Sequence, residues 1–139
     1  MTRLAYSAAA VLVMLALTVG TLVAQAKYVA PIRGDVELQM LPAKVDVDHK
    51  SNMVKTTIKV KNISPTGSIA GLKVEQFWWD KASSQTPVSA GNAKVKKPLQ
   101  PGEEATLEIV LPYDAKMYRD QYVFTHANGK VKVKQVKAF

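Results

Sequence analysis

Residues 53–62, MVKTTIKVKN, set Val54, Thr56, Ile58 and Val60 against Lys55, Thr57, Lys59 and Lys61. A period of two is the mark of a strand with one face buried and the other in water. The C-terminal stretch GKVKVKQVK repeats it, with Val131 and Val133 facing one way and Lys130, Lys132 and Lys134 the other. QYVFTH precedes this run, and Asn128-Gly129 separates the two. An Asn-Gly pair accepts the positive φ of a type I′ turn, so residues 117–137 are expected to form a hairpin. Further strands are expected over 36–48, 69–80, 87–97 and 105–111, divided by turn residues at Ser64-Pro65-Thr66-Gly67, 83–87 and 98–102. No window beyond the N-terminal segment carries a sustained helical period or a capping signature. The reading is an all-β, Ig-like antiparallel sandwich of about seven strands in one domain over residues 36–139.

The N-terminus belongs to a different class of segment. Arg3 is its one charge, Ser7 to Ala24 are rich in Ala, Leu and Val, and the run closes on Ala24-Gln25-Ala26. Small residues at the third-last and last positions suit a signal peptidase, so residues 1–26 are read as a secretory signal helix cleaved after Ala26. The competing reading is an uncleaved anchor, since about 18 apolar residues can span a bilayer. Residues 27–35, with Pro31 and Gly34, follow as a lead-in with little to pack. The chain has no cysteine. That excludes a disulfide framework, a thiolate metal site, a cysteine nucleophile and a lipoprotein anchor. A Sec-exported domain standing on packing alone fits a bacterial periplasm or cell surface, with no stable membrane span once the signal is gone.

The run VEQFWWD brings Phe77, Trp78 and Trp79 together. Regular alternation from Leu72 and Val74 buries Gln76 and Trp78 and turns Phe77 and Trp79 outward. A bulge near Glu75-Gln76 would instead put Phe77 and Trp79 inside and Trp78 outside. Either register leaves one tryptophan facing out. The candidate contact residues are therefore Trp78 and Trp79, with Tyr113 and Tyr118 as the tyrosines that could flank an exposed ring.

KVKNIS, VEQFWWD and LQPGEEATLEI, between residues 54 and 111, together resemble the FxLYD-type domain of bacterial secreted and envelope proteins. That pattern is a strand ending in Asn, a Val-rich strand closing on two aromatics and Asp, then a loop and LxPGE. Trp79 stands where a tyrosine is usual, and the stretch between Asp80 and Leu99 is longer than in the pattern. The resemblance implies an Ig-like, fibronectin-III-like sandwich outside the cytoplasm and implies no catalytic residues.

Chemistry is sparse. The two histidines, His49 and His126, lie in no nucleophile elbow or triad signature, and an enzyme would need His126 within reach of an acid and a hydroxyl beside a cleft. Met40, Met53 and Met117 stand apart from any His-x-Met pattern, and Asp46 and Asp48 read as a solvated strand end beside Lys44 and Lys50. No metal, cofactor or catalytic residue is expected. Arg33-Gly34-Asp35 and the acceptor-like Asn62-Ile63-Ser64 are background. Removing residues 1–26 takes Arg3 and no acid, leaving a net charge one unit below the +8 of the full chain. The excess is lysine, and arginine is nearly absent, which argues against nucleic acid. The lysine rows of the strands carrying Lys55 and Lys132 are expected in different sheets, facing opposite sides. The sequence reads as a secreted, non-enzymatic module that binds a protein or envelope polymer or serves a structural role. The alternative is a carbohydrate-binding module using the exposed tryptophan.

Overall fold

The computed structural model describes residues 29–83 and 85–139, so the expected signal segment, residues 1–26, lies outside the described residues. Among the described residues there are eight strands and no helix. They are β1 (Val36–Met40), β2 (Lys44–Asp48), β3 (Met53–Asn62), β4 (Lys73–Trp79), β5 (Ser89–Lys94), β6 (Glu104–Pro112), β7 (Arg119–His126) and β8 (Gly129–Gln135). The all-β class and the strand positions follow from the alternation.

The expected strand over 36–48 is two. β1 pairs antiparallel with β3 with Met40 opposite Val60, and β2 pairs with the same edge of β3 with Val45 opposite Thr56. Between them, at Leu41-Pro42-Ala43, the register slips by one residue. Pro42 has no N–H to give a ladder, and the slip reverses which residues face in. Even-numbered Val36, Leu38 and Met40 are buried in β1, whereas odd-numbered Val45 and Val47 point to the inner side in β2.

β6 takes the other edge of β3 over nine residue pairs, Met53 opposite Pro112 to Lys61 opposite Glu104. β4 lies between β5 and β7. The path β2-β3-β1-β8-β7-β4-β5 curls so that its two halves face each other. The Gln76 amide of β4 donates to the Thr56 hydroxyl of β3 at 2.9 Å across the interior. Between the halves lie Leu38, Ile58, Val60, Ile69, Leu72, Val74 and Leu99, all fully buried, with Phe124 closing one side. Each contributes on the order of 2 kcal/mol relative to exposure.

The C-terminal hairpin forms, but the expected turn does not. His126 pairs with Gly129, so Ala127 and Asn128 are the central residues, and neither has positive φ. Unprimed turns splay their strands. β8 accordingly leaves β7 after two residue pairs and runs parallel to β1 for five, Val36 opposite Val131 to Met40 opposite Gln135. Gly129 is needed for another reason: a Cβ there would lie 2.3 Å from the Gly34 carbonyl oxygen.

This crossing overturns the expectation for the lysine rows. β3 and β8 both flank β1, so Lys61, Gln39 and Lys134 form one lateral row, with Glu104 beyond Lys61. The lead-in also packs better than expected. Ile32 N–H donates to the Ser68 carbonyl at 2.8 Å, Gly34 N–H to the Asn128 carbonyl at 2.9 Å, and Ile32 packs against the core.

Candidate aromatic contact face

β4 is a regular strand without a bulge, and that decides the aromatic run. Val74, Gln76 and Trp78 point into the core, and Trp78 is only 8 % exposed. Trp78 is thus a core residue and not a contact, and Phe77 and Trp79 stand half-buried on the outer side. Cross-strand neighbours define the face around them. Phe77 sits between Ala90 of β5 and Gln121 of β7, Trp79 opposite Arg119, and Glu75 between Asn92 and Val123. Glu75 is held by the Lys73 ammonium at 2.7 Å. Because β5 offers only Ala90 and Gly91 there, a shallow groove of about 160 Å³ opens beside Phe77, lined by Glu75, Phe77, Ala90, Gly91 and Asn92.

A more polar cleft of about 230 Å³ lies at the strand end, formed by residues 80–83, Tyr118 and Arg119. Tyr118 is 66 % exposed and its N–H donates to the Trp79 carbonyl at 3.0 Å. The Lys81 ammonium lies over its ring, 5.7 Å from the centroid. Tyr113 is occupied elsewhere, meeting His49 edge-on at 5.5 Å. The structure thus brings Tyr118 close to Trp79 and leaves Tyr113 in a separate contact. Regular alternation had turned Phe77 outward without making it a candidate contact. Arg119 and Val123 are the face residues that the sequence reading did not single out, because they depend on the pairing of β4 with β7.

Behind the face runs a polar chain, buried at Thr56 and Gln76 and half-buried at Tyr122 and Asp120. Thr56 accepts from Gln76, whose amide also reaches the Tyr122 hydroxyl at 3.4 Å, and Tyr122 donates to the Asp120 carboxylate. Burial first, and then the bond to Asp120, raises the Tyr122 phenol well above its usual range. Gln76 Oε1 and Trp78 Nε1 are buried there without a hydrogen-bond partner among the described residues. The other residues weighed from the sequence have structural surroundings. His126 is buried, with Nε2 2.8 Å from the Gly34 carbonyl and Nδ1 accepting from Asn128 N–H. Gly34 and Asp35 are tied to the β7–β8 hairpin, Asp35 Oδ1 accepting from Lys130 N–H at 3.1 Å. Among the described residues no cluster of three or more His, Asp or Glu side chains is arranged to hold a metal.

No protein-family model and no curated protein matches the chain. The structure of IrmA from Escherichia coli is similar over 75 % of this chain and 94 % of that one, with a TM-score of 0.50 at 5 % identity. A β-glucosidase from Kluyveromyces marxianus is similar over 66 % of this chain and 15 % of its own length, with a TM-score of 0.42 at 13 % identity. At such identity the likeness to IrmA is one of fold alone.

Proposed function

We propose that the chain is an extracytoplasmic, non-enzymatic binding module that takes a protein partner on the outer face of β5, β4 and β7. The observation that carries this reading is the placement of Phe77 and Trp79, two residues apart on a solvent-facing sheet beside a groove of side-chain size. Aromatic side chains with an adjacent arginine, ringed by polar residues, are the composition of binding hot spots. The strand grouping supports an Ig-like sandwich: β1, β3 and β6 on one side of the core, β5, β4 and β7 on the other, with β8 joining the two. An FxLYD-type relationship belongs to the same proposal. Its motifs lie at the end of β3, along β4 and at the entry to β6. The bacterial periplasm or cell surface as location rests on residues 1–26 and on the absence of cysteine.

A carbohydrate platform needs a second open ring alongside Trp79. The Lys81 ammonium over Tyr118 and the His49 contact of Tyr113 weigh against it and favour a protein. Replacing Trp78 with Phe leaves Trp79 as the sole tryptophan reporter. The protein, expressed from the whole chain and purified as cells process it, is then titrated with soluble envelope proteins, peptidoglycan fragments, polysaccharide and lipid vesicles. A saturable emission shift with the protein fraction, lost in Phe77→Ser, is the expected result. A shift with polysaccharide alone transfers the face to the carbohydrate reading. A folded protein that answers to nothing overturns the face.

A further inference from the structure

β2 stands apart from the other strands. Like β5 it ends the strand path, and among the described residues β3 is its one strand neighbour; unlike β5 and β6 it is exposed along its whole length. Val45 and Val47 point to the inner side yet are 37 % and 41 % exposed, because β8 stops alongside β1 and leaves the level of β2 uncovered. A free edge with apolar side chains on one side is a template for another strand. Lysine commonly blunts such edges, but here KVDVD carries Lys44, Asp46 and Asp48 on its outer side, both signs of charge on one strand.

We propose that β2 pairs edge to edge with β2 of a second copy, antiparallel about a two-fold axis at Val45. The strand is self-complementary in that register. Lys44 faces Asp46 of the other copy, twice by symmetry, while Val45 meets Val45 and Val47 meets the half-buried Ala43 on the inner side. Within one copy Lys44 and Asp46 make only a loose, exposed ion pair at 4.0 Å, so both charges are free to exchange it. The register two residues away is worse. It would oppose Asp46 to Asp46, and it would ask Asp48 to pair while its carboxylate already accepts the Lys50 N–H at 2.9 Å. Pro42 then falls at the end of the ladder, where its missing N–H does no harm. The contact consumes both free β2 edges. A two-fold contact of this kind is closed, so pairing through β2 stops at two copies.

The test is sedimentation across a roughly hundredfold concentration range. The expected result is a mass-action shift to a two-copy species. Lys44→Asp and Asp46→Lys should each weaken it by about tenfold or more, because each sets like charges opposite twice. An equimolar mixture of these two variants should restore association as a mixed pair, since one copy then carries aspartate at both positions and the other lysine at both. Both sites are exposed, so circular dichroism should match the parent and confirm that the variants are folded; unfolding midpoints are compared at a dilution where the parent is a single copy, with Asp46→Lys slightly lower because Lys55 of β3 lies opposite it. A monomer at every concentration overturns the proposal. So does association that neither variant weakens, or variants that fail to recover on mixing.

Discussion

Asn62 shows how one side chain can organise several segments. Fully buried at the end of β3, it donates from Nδ2 to the carbonyls of Gly67 and Leu99, both at 2.9 Å, and accepts from Ser64 N–H through Oδ1. The Asn of KVKNIS is thereby fastened to the leucine that opens LQPGE, which gives those two motifs a shared structural purpose. Asn62→Ala leaves the buried Gly67 carbonyl and the Ser64 N–H without partners, and leaves the Leu99 carbonyl only its bond from Ile69 N–H; it should lower stability by about 2 kcal/mol, measured by urea unfolding. Tyr122 provides the pH counterpart. Its phenol is raised in the folded state, so above the unfolded value near 10 the unfolded chain loses a proton that the native one keeps. Stability from this group is full below about pH 10 and declines as pH rises beyond it. Comparing urea midpoints between about pH 8 and 11, Tyr122→Phe should show a shallower alkaline decline than the parent. An equal decline would mean that the proton is not held more tightly in the native state.

At the scale of elements, pairing partners decide what each strand can tolerate. β5 is short and ordinary in sequence, SAGNAK, yet its Gly91 makes the approach to β6 possible. A Cβ there would lie 2.8 Å from Ile109 Cγ2 and from Leu111 Cδ2. Gly91→Val should therefore destabilise by about 2 kcal/mol through overpacking, and Gly91→Ala by less, as read from denaturant midpoints. An unchanged midpoint in both would show that β5 can move away from β6 at no cost. The β7–β8 hairpin carries the opposite lesson. Asn128-Gly129 correctly marked the reversal of the chain, but Ala127 and Asn128 take the central positions and Gly129 is preserved by its contact with Gly34.

For the whole molecule, the parallel pairing of β1 with β8 is what joins the two halves of the curled sheet. Protection should be graded outward from that seam. In dilute protein, amide exchange should be slowest in β3 and β4, where Ile58, Val60 and Val74 are fully buried between neighbours on both edges, and fastest in β2. Hydrogen exchange read residue by residue checks this, and a β2 as protected as β3 would show that its outer edge is covered. The same closure puts the lysines of β3 and β8 on one face of the curled sheet, interleaved with Gln39 and bounded by Glu104.

Alternation of side chains is local, so the all-β class, the positions of β3, β6 and β8, and the two registers open to the aromatic run were legible in the residues themselves. The order of strands in space was not, because edges pair according to which turns splay and where registers slip, and those depend on contacts between residues far apart. Val45 and Val131 look alike in sequence; one is left at an edge and the other is packed against the core through β1. The choice between Trp78 and Trp79 was likewise tertiary. An inward tryptophan needs room between the two facing halves of the curled sheet, and only the packing of β4 against β3 showed that the room lay at Trp78.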